Sequence, residues 1–193
     1  MSKPVSVPQD APARLFVAID PPPAVRDALA GLPRRIRGVA WTPPEQYHLT
    51  LRFIGDVAHE TRERIEKALA NIEVTSFTLP VEGVGSFPPN RPPRILWAGT
   101  GSAHPRLFQL RQKVDDALLA CALDLDVRSF QPHFTLARCG RDTPIAEASR
   151  FVREHAEFQA PVFRVDAFTL YRSDLRASGA VHTPLLHVPL TAG

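Results

Sequence analysis

The chain has 193 residues, 44% of them hydrophobic and 22% charged, an ordinary globular composition with apolar surface enough for a core. Its formal charge is +3, and 20 Arg against three Lys put planar, bidentate phosphate donors on its positive side. Such values exclude a disordered chain, a disulfide scaffold and a helical membrane protein, since no apolar run approaches the roughly 18 residues of a span.

Residues 1–13 are polar and proline-bearing, with no apolar stretch of signal-peptide length, and predict a flexible N-terminal segment on a soluble, cytoplasmic, monomeric protein. The remainder, 14–193, reads as a single domain. Arg14 to Asp20 is an apolar run closed by Pro21-Pro22-Pro23: a strand feeding a helix, where proline needs no amide donor. Val25, Leu29 and Leu32 then predict a helix over about 22–32, and residues 38–42 a short extended piece. Tyr47 to Ile54 alternates as a strand. Ile65, Leu69 and Ile72 give the apolar face of a helix over 61–72.

Strands are expected at 77–84 and 94–99, separated by a proline-arginine stretch, 87–94, that serves as a stiff connector or a basic loop beside a substrate. Leu107, Leu110, Val114, Leu118 and Cys121 mark a long helix. A strand over 130–139, a helix over 144–155 and strands over 162–171 and 181–190 complete the chain. Strands and helices interleave, so the fold class is α+β. Cys121 and Cys139 have neither metal spacing nor a disulfide framework and read as small buried residues.

One internal repeat carries the chemistry. His48-Leu-Thr-Leu-Arg-Phe-Ile-Gly55 and His133-Phe-Thr-Leu-Ala-Arg-Cys-Gly140 agree at His, Thr, Leu and Gly. A half-domain duplication explains both copies and implies two related lobes. Strand alternation puts His48 with Thr50 on one face and Leu49 with Leu51 on the other; His133 and Thr135 separate from Phe134 and Leu136 in the same way. If the apolar faces are buried, two imidazoles and two hydroxyls meet in a groove. Imidazole can act as acid or base near neutral pH, and hydroxyls can donate to the phosphate oxygens that gain charge in the transition state. A zinc site fits less well, because neither strand offers His-x-His or a nearby Cys or Glu on that face.

At these residues the chain resembles the two-histidine phosphoesterase superfamily, and within it the bacterial and archaeal RNA 2′,3′-cyclic phosphodiesterases, long called 2′-5′ RNA ligases. The likeness extends over Arg14–Asp20, Arg94-Ile-Leu-Trp-Ala-Gly99, Pro132–Arg138 and Phe168-Thr-Leu-Tyr-Arg-Ser173. That resemblance implies a bilobal α+β fold with pseudo-two-fold duplication, antiparallel sheets around a central cleft, and helices outside. It implies hydrolysis of an RNA-terminal 2′,3′-cyclic phosphate to a 2′-phosphate without metal or cofactor, with weak reversible 2′-5′ joining of tRNA halves in some members. His48 and His133 carry over as the catalytic pair, with His48 as acid to the 3′ oxygen and His133 as base to water, and Thr50 and Thr135 as phosphate donors. Arg138 is expected to contact the nucleotide, although strict alternation puts it opposite His133 unless the strand ends or bulges. Phe16 is either a stacking surface for the terminal base or core. Arg52 has the parity for a phosphate contact or a rim ion pair, and the other five histidines are expected at the surface or in loops. Two rival readings stay open: a related enzyme for a small cyclic nucleotide or ADP-ribose cyclic phosphate, and a non-catalytic binder of RNA ends.

Overall fold

The computed structural model describes residues 12–89, 91–126, 129–176 and 179–193. The expected N-terminal segment lies almost wholly outside the described residues, and Ala13 already opens the first strand.

Two six-element repeats build the molecule. The first runs β1 (Ala13–Ile19), α1 (Pro23–Ala30), β3 (Leu49–Val57), α2 (His59–Ala70), β4 (Phe77–Glu82) and β5 (Val84–Phe87), with a short β2 (Val39–Trp41) before the motif. The second runs β6 (Ile95–Gly99), α3 (Pro105–Ala120), β7 (His133–Cys139), α4 (Ile145–Glu154), β8 (Gln159–Val165) and β9 (Ala167–Arg176). A last strand, β10 (Gly179–Pro189), follows the second repeat. Within each repeat the motif strand pairs antiparallel with the repeat's first strand: β3 on β1 and β7 on β6. The sixth element, a strand, crosses to the other repeat, so β5 lies on β6 and β9 lies on β1. The fifth elements, strands β4 and β8, pair with each other in a small second sheet.

The two halves of the large sheet, β10-β9-β1-β3 and β7-β6-β5, meet at one residue pair, Leu49 opposite Phe134. Both side chains are fully buried. The motif leucines point the same way, and Leu49, Leu51, Phe134 and Leu136 pack with Val25 and Leu29 of α1, Ile65 and Leu69 of α2, and Leu110 and Leu118 of α3 in one continuous core. Burying each such side chain stabilises the fold by roughly 1.5–3 kcal/mol. The expected α+β class, duplication and outer helices are therefore what the chain adopts. The cysteines are free, Cys121 buried and Cys139 half-buried.

Two strand boundaries differ from the sequence reading. Residues 77–84 and 162–171 each read as one strand, yet each stretch is divided between two strands. The first breaks at Gly83, whose φ of 74° turns the chain from the small sheet into the large one; the second breaks at Asp166. The buried parity shifts by one residue at each corner, from Phe77, Leu79 and Val81 to Val84 and from Phe163 and Val165 to Phe168 and Leu170.

A shared irregularity sets the face of the residues just beyond each motif, through Phe53 and Arg138. Opposite β1, Leu51 is passed over between Thr50 and Arg52; opposite β6, Leu136 is passed over between Thr135 and Ala137. Each motif strand thus bulges at its motif leucine, and one extra residue flips the alternation that follows. Leu136 and Ala137 are consecutive and both buried, which returns Arg138 to the side of His133, where it is exposed.

Candidate active site

His48 and His133 stand at equivalent places where the two half-sheets meet. A turn over Pro44–Gln46 leads into His48, and an irregular stretch ending at Pro132 leads into His133. Each ring is fixed by the same local bond: His48 Nδ1 donates to the Gln46 carbonyl at 2.8 Å, and His133 Nδ1 donates to the Gln131 carbonyl at 2.7 Å. A carbonyl can only accept, so Nδ1 carries the proton in both rings and Nε2 remains the basic nitrogen. Gln occupies the second position before both histidines, a match that sequence comparison of the repeats could have used.

Burial governs the protonation of both rings. It pushes the His48 imidazole down to about 4; the Gln46 carbonyl and Asp20 act against this, while His182 and His133 act with it. His133 is also lowered, again first by burial, with its Gln131 bond opposing and Arg138 reinforcing the effect. His133 acting on His48 means the two rings lie within electrostatic reach across the cleft, and Arg138 acting on His133 puts that guanidinium beside the site, as the bulge allows.

A cavity of about 450 Å³ opens between the halves, lined by Thr50 and Phe53 of β3, Phe87 of β5, Arg111 of α3, Phe130 and His133. Phe87 meets the His133 ring edge-on at 5.0 Å. A second cavity of about 430 Å³ continues from it past Arg52, Arg111 and Phe130 to Phe108 and Leu119 on α3. At this junction Arg52 grips the Asp115 carboxylate through Nε and Nη2, at 2.7 and 2.5 Å, and Nη1 donates to the Asp126 carbonyl at 2.6 Å. Arg111 shares the same carboxylate at 2.9 Å and lies over the Phe130 ring. Arg52 is therefore the rim ion pair of the two roles its parity allowed. The 87–94 stretch is the connection of the β5–β6 hairpin, closed by the Arg94 amide donating to the Phe87 carbonyl at 2.7 Å.

Phe16 sits under the site instead of at its surface. It is 3% exposed, with Tyr171 stacked on it at 5.2 Å, His48 at 4.9 Å, His182 at 4.9 Å and Phe53 at 6.0 Å. Tyr171 of β9 and His182 of β10 cover the ring from beyond the first repeat, next to His48 and apart from the main apolar cluster. The open aromatic is Phe53, 64% exposed, which the Leu51 bulge puts where Arg138 stands in the second repeat.

His182 also departs from expectation. Read as a surface or loop histidine, it lies on β10 with its ring 5.4 Å from that of His48, edge to face at 87°. Beneath them, Tyr171 and Thr169 donate to the Asp20 carboxylate at 2.7 and 3.0 Å, and burial and Asp20 both raise the Tyr171 phenol above its usual range. No pattern in the sequence marks His182, since it comes from the strand that has no counterpart in the repeat. Among the described residues, no group of three or more His, Cys, Asp or Glu side chains is arranged to hold a metal ion.

The comparisons with known proteins agree with this architecture. The family model described as LigT-like phosphoesterase matches twice in succession, over residues 19–97 and 100–182, one match for each motif histidine. An RNA 2′,3′-cyclic phosphodiesterase of Archaeoglobus fulgidus is 31% identical over 175 residues, covering 89% of this chain and 97% of the relative. One from Aeropyrum pernix is 29% identical, covering 85% and 92%. The crystal structure of E. coli LigT with 3′-AMP superposes with a TM-score of 0.76 at 25% identity, over 93% of this chain and 99% of that one.

Proposed function

Since the chain belongs to the LigT-like phosphoesterase family, we propose that it hydrolyses the 2′,3′-cyclic phosphate at an RNA 3′ end to a 2′-phosphate, with His48 and His133 as the acid–base pair. The supporting observation is the twin imidazole arrangement, in which two rings from opposite repeats are each locked by an Nδ1 bond to the carbonyl two residues earlier. One basic Nε2 removes a proton from water while the other, protonated, delivers a proton to the departing 3′ oxygen. Binding a cyclic phosphate monoanion favours imidazolium in both rings, which offsets the burial that keeps them neutral in the free protein. Thr50 and Thr135, on the same face as the histidines, donate to the non-bridging oxygens, and Arg138 adds charge beside His133. Phe53 offers the exposed ring on which a terminal base stacks. All of these groups belong to one bilobal domain spanning 14–193, acting as a monomer without metal. The same site run backwards accounts for 2′-5′ joining of RNA ends such as tRNA halves.

The test is an oligoribonucleotide ending in 2′,3′-cyclic phosphate, incubated in excess EDTA with product mapping. The expected product is the 2′-phosphate, with kcat/KM falling by about 10²–10⁴ in His48→Ala and in His133→Ala. Activity lost in EDTA and restored by a divalent metal would sink the mechanism. Equal turnover of cyclic mononucleotides would favour the small-molecule reading.

A further inference from the structure

β10 breaks the symmetry of the duplication at one place, the surroundings of His48. The Gln46 carbonyl accepts from His48 Nδ1, and the Gln46 side-chain amide donates to the Ala180 carbonyl at 3.0 Å. Two residues further along the same strand, His182 packs edge to face against the His48 ring and against Phe16 beneath it. The backbone that orients His48 and the ring itself are thus both held from β10. In the second repeat the corresponding contacts to His133 come from Phe87 and Trp97, on β5 and β6, and among the described residues no strand stands where β10 does.

We propose that Gln46 and His182 form a clamp from β10 that positions His48 for catalysis, with His182 acting as a positioning residue through its packed ring. The proposal rests on the acid–base reading of His48 given above. His182 Nδ1 is buried without a hydrogen-bond partner among the described residues, so its contribution is the shape of the ring and the water it excludes. The titratable groups acting on His48 are Asp20 just after β1, His133 on β7 and His182 itself, with Tyr171 of β9 behind Phe16 and His182, and His182 packs ring to ring on it from β10. Removing the ring lets water reach His48, which eases its protonation and loosens its aim.

The experiment follows the His48 and His133 ring signals by NMR through a pH titration of the full chain, in His182→Ala, His182→Phe and Gln46→Ala. Steady-state kinetics on the cyclic-phosphate oligonucleotide accompany it. In His182→Ala the His48 midpoint should rise by roughly one pH unit while that of His133 stays in place. At the same time kcat should fall about tenfold with KM little changed. His182→Phe should restore most of both, and Gln46→Ala should loosen His48 in the same direction. An unmoved His48 midpoint in His182→Ala overturns the clamp, as does an equal movement of His133, which signals a general loss of structure. A His182→Phe variant as impaired as His182→Ala also overturns it, since a nitrogen would then be acting directly. The titration needs no substrate, so an inactive wild-type protein would fault the proposed reaction while leaving the clamp testable.

Discussion

His48 resists protonation because its ring is boxed by Phe16 below and His182 at its side, and both exclude the water that would solvate an imidazolium. His133 is lowered for the same primary reason. This has a kinetic consequence whichever ring is the acid. The base must be neutral, which costs rate below its pKa, and the acid must be charged, which costs rate above its own. With one free-state pKa near 4 and the other below the ordinary 6.5, kcat/KM should peak on the acidic side, between about pH 4 and 6.5. The kcat profile, which reports the complex, should move to higher pH because the bound anion favours both imidazolium forms. Rate measurements across pH 3.5–9 check this; an alkaline limb of kcat/KM at or above pH 7 would contradict the burial argument. The two histidines and two threonines were legible in the sequence, because one repeated pattern at strand spacing named them. Phe16 and His182 were not, because Phe16 is covered by β9 and β10 while His182 meets Phe16 and His48, partners distant in the chain.

At the scale of the element, two devices decide what the motif strands present. The bulges at Leu51 and Leu136 bring Phe53 and Arg138 onto the histidine side, and neither bulge leaves a glycine or proline to announce itself. The corner at Gly83 does carry such a mark, a glycine at a φ of 74°. A Cβ there would meet only the Ala156 carbonyl at 3.5 Å, ordinary contact, so the cost of substitution is in the backbone alone. Gly83→Ala should therefore destabilise the protein by about 1–2 kcal/mol in urea unfolding. Gly31→Ala, at a φ of −69°, should cost little by the same measurement. Equal losses at the two positions would mean that the corner stores no conformational demand.

At the scale of the molecule, the repeats are interlocked and not merely docked. Five of the pairings, β1 with β9, β2 with β7, β3 with β7, β4 with β8 and β5 with β6, join one repeat to the other. A chain divided at the β5–β6 connection into 12–93 and 94–193 keeps β1 with β3 in one piece and β6 with β7 and β9 with β10 in the other. Every remaining edge is then exposed, together with half the core. Neither piece should melt cooperatively alone, and mixing them should recover near-ultraviolet circular dichroism and a cooperative transition. A cooperative melt of 94–193 by itself would show the repeats to be independent units.

The sequence by itself determined the duplication, the order of helices and, but for the corners at Gly83 and Asp166, of strands, the buried leucines and the repeated His-x-Thr pattern. These follow from local spacing, and alternation along a strand is a property of the chain at that point. Tertiary structure alone decided that the last strand of each repeat completes the other's sheet, that Arg52 is spent on Asp115, that Phe16 lies beneath the site with Phe53 open, and that His182 stands against His48. Apart from the β5–β6 hairpin, those outcomes depend on contacts between segments 63 or more residues apart or on a one-residue bulge, and local periodicity carries no information about either.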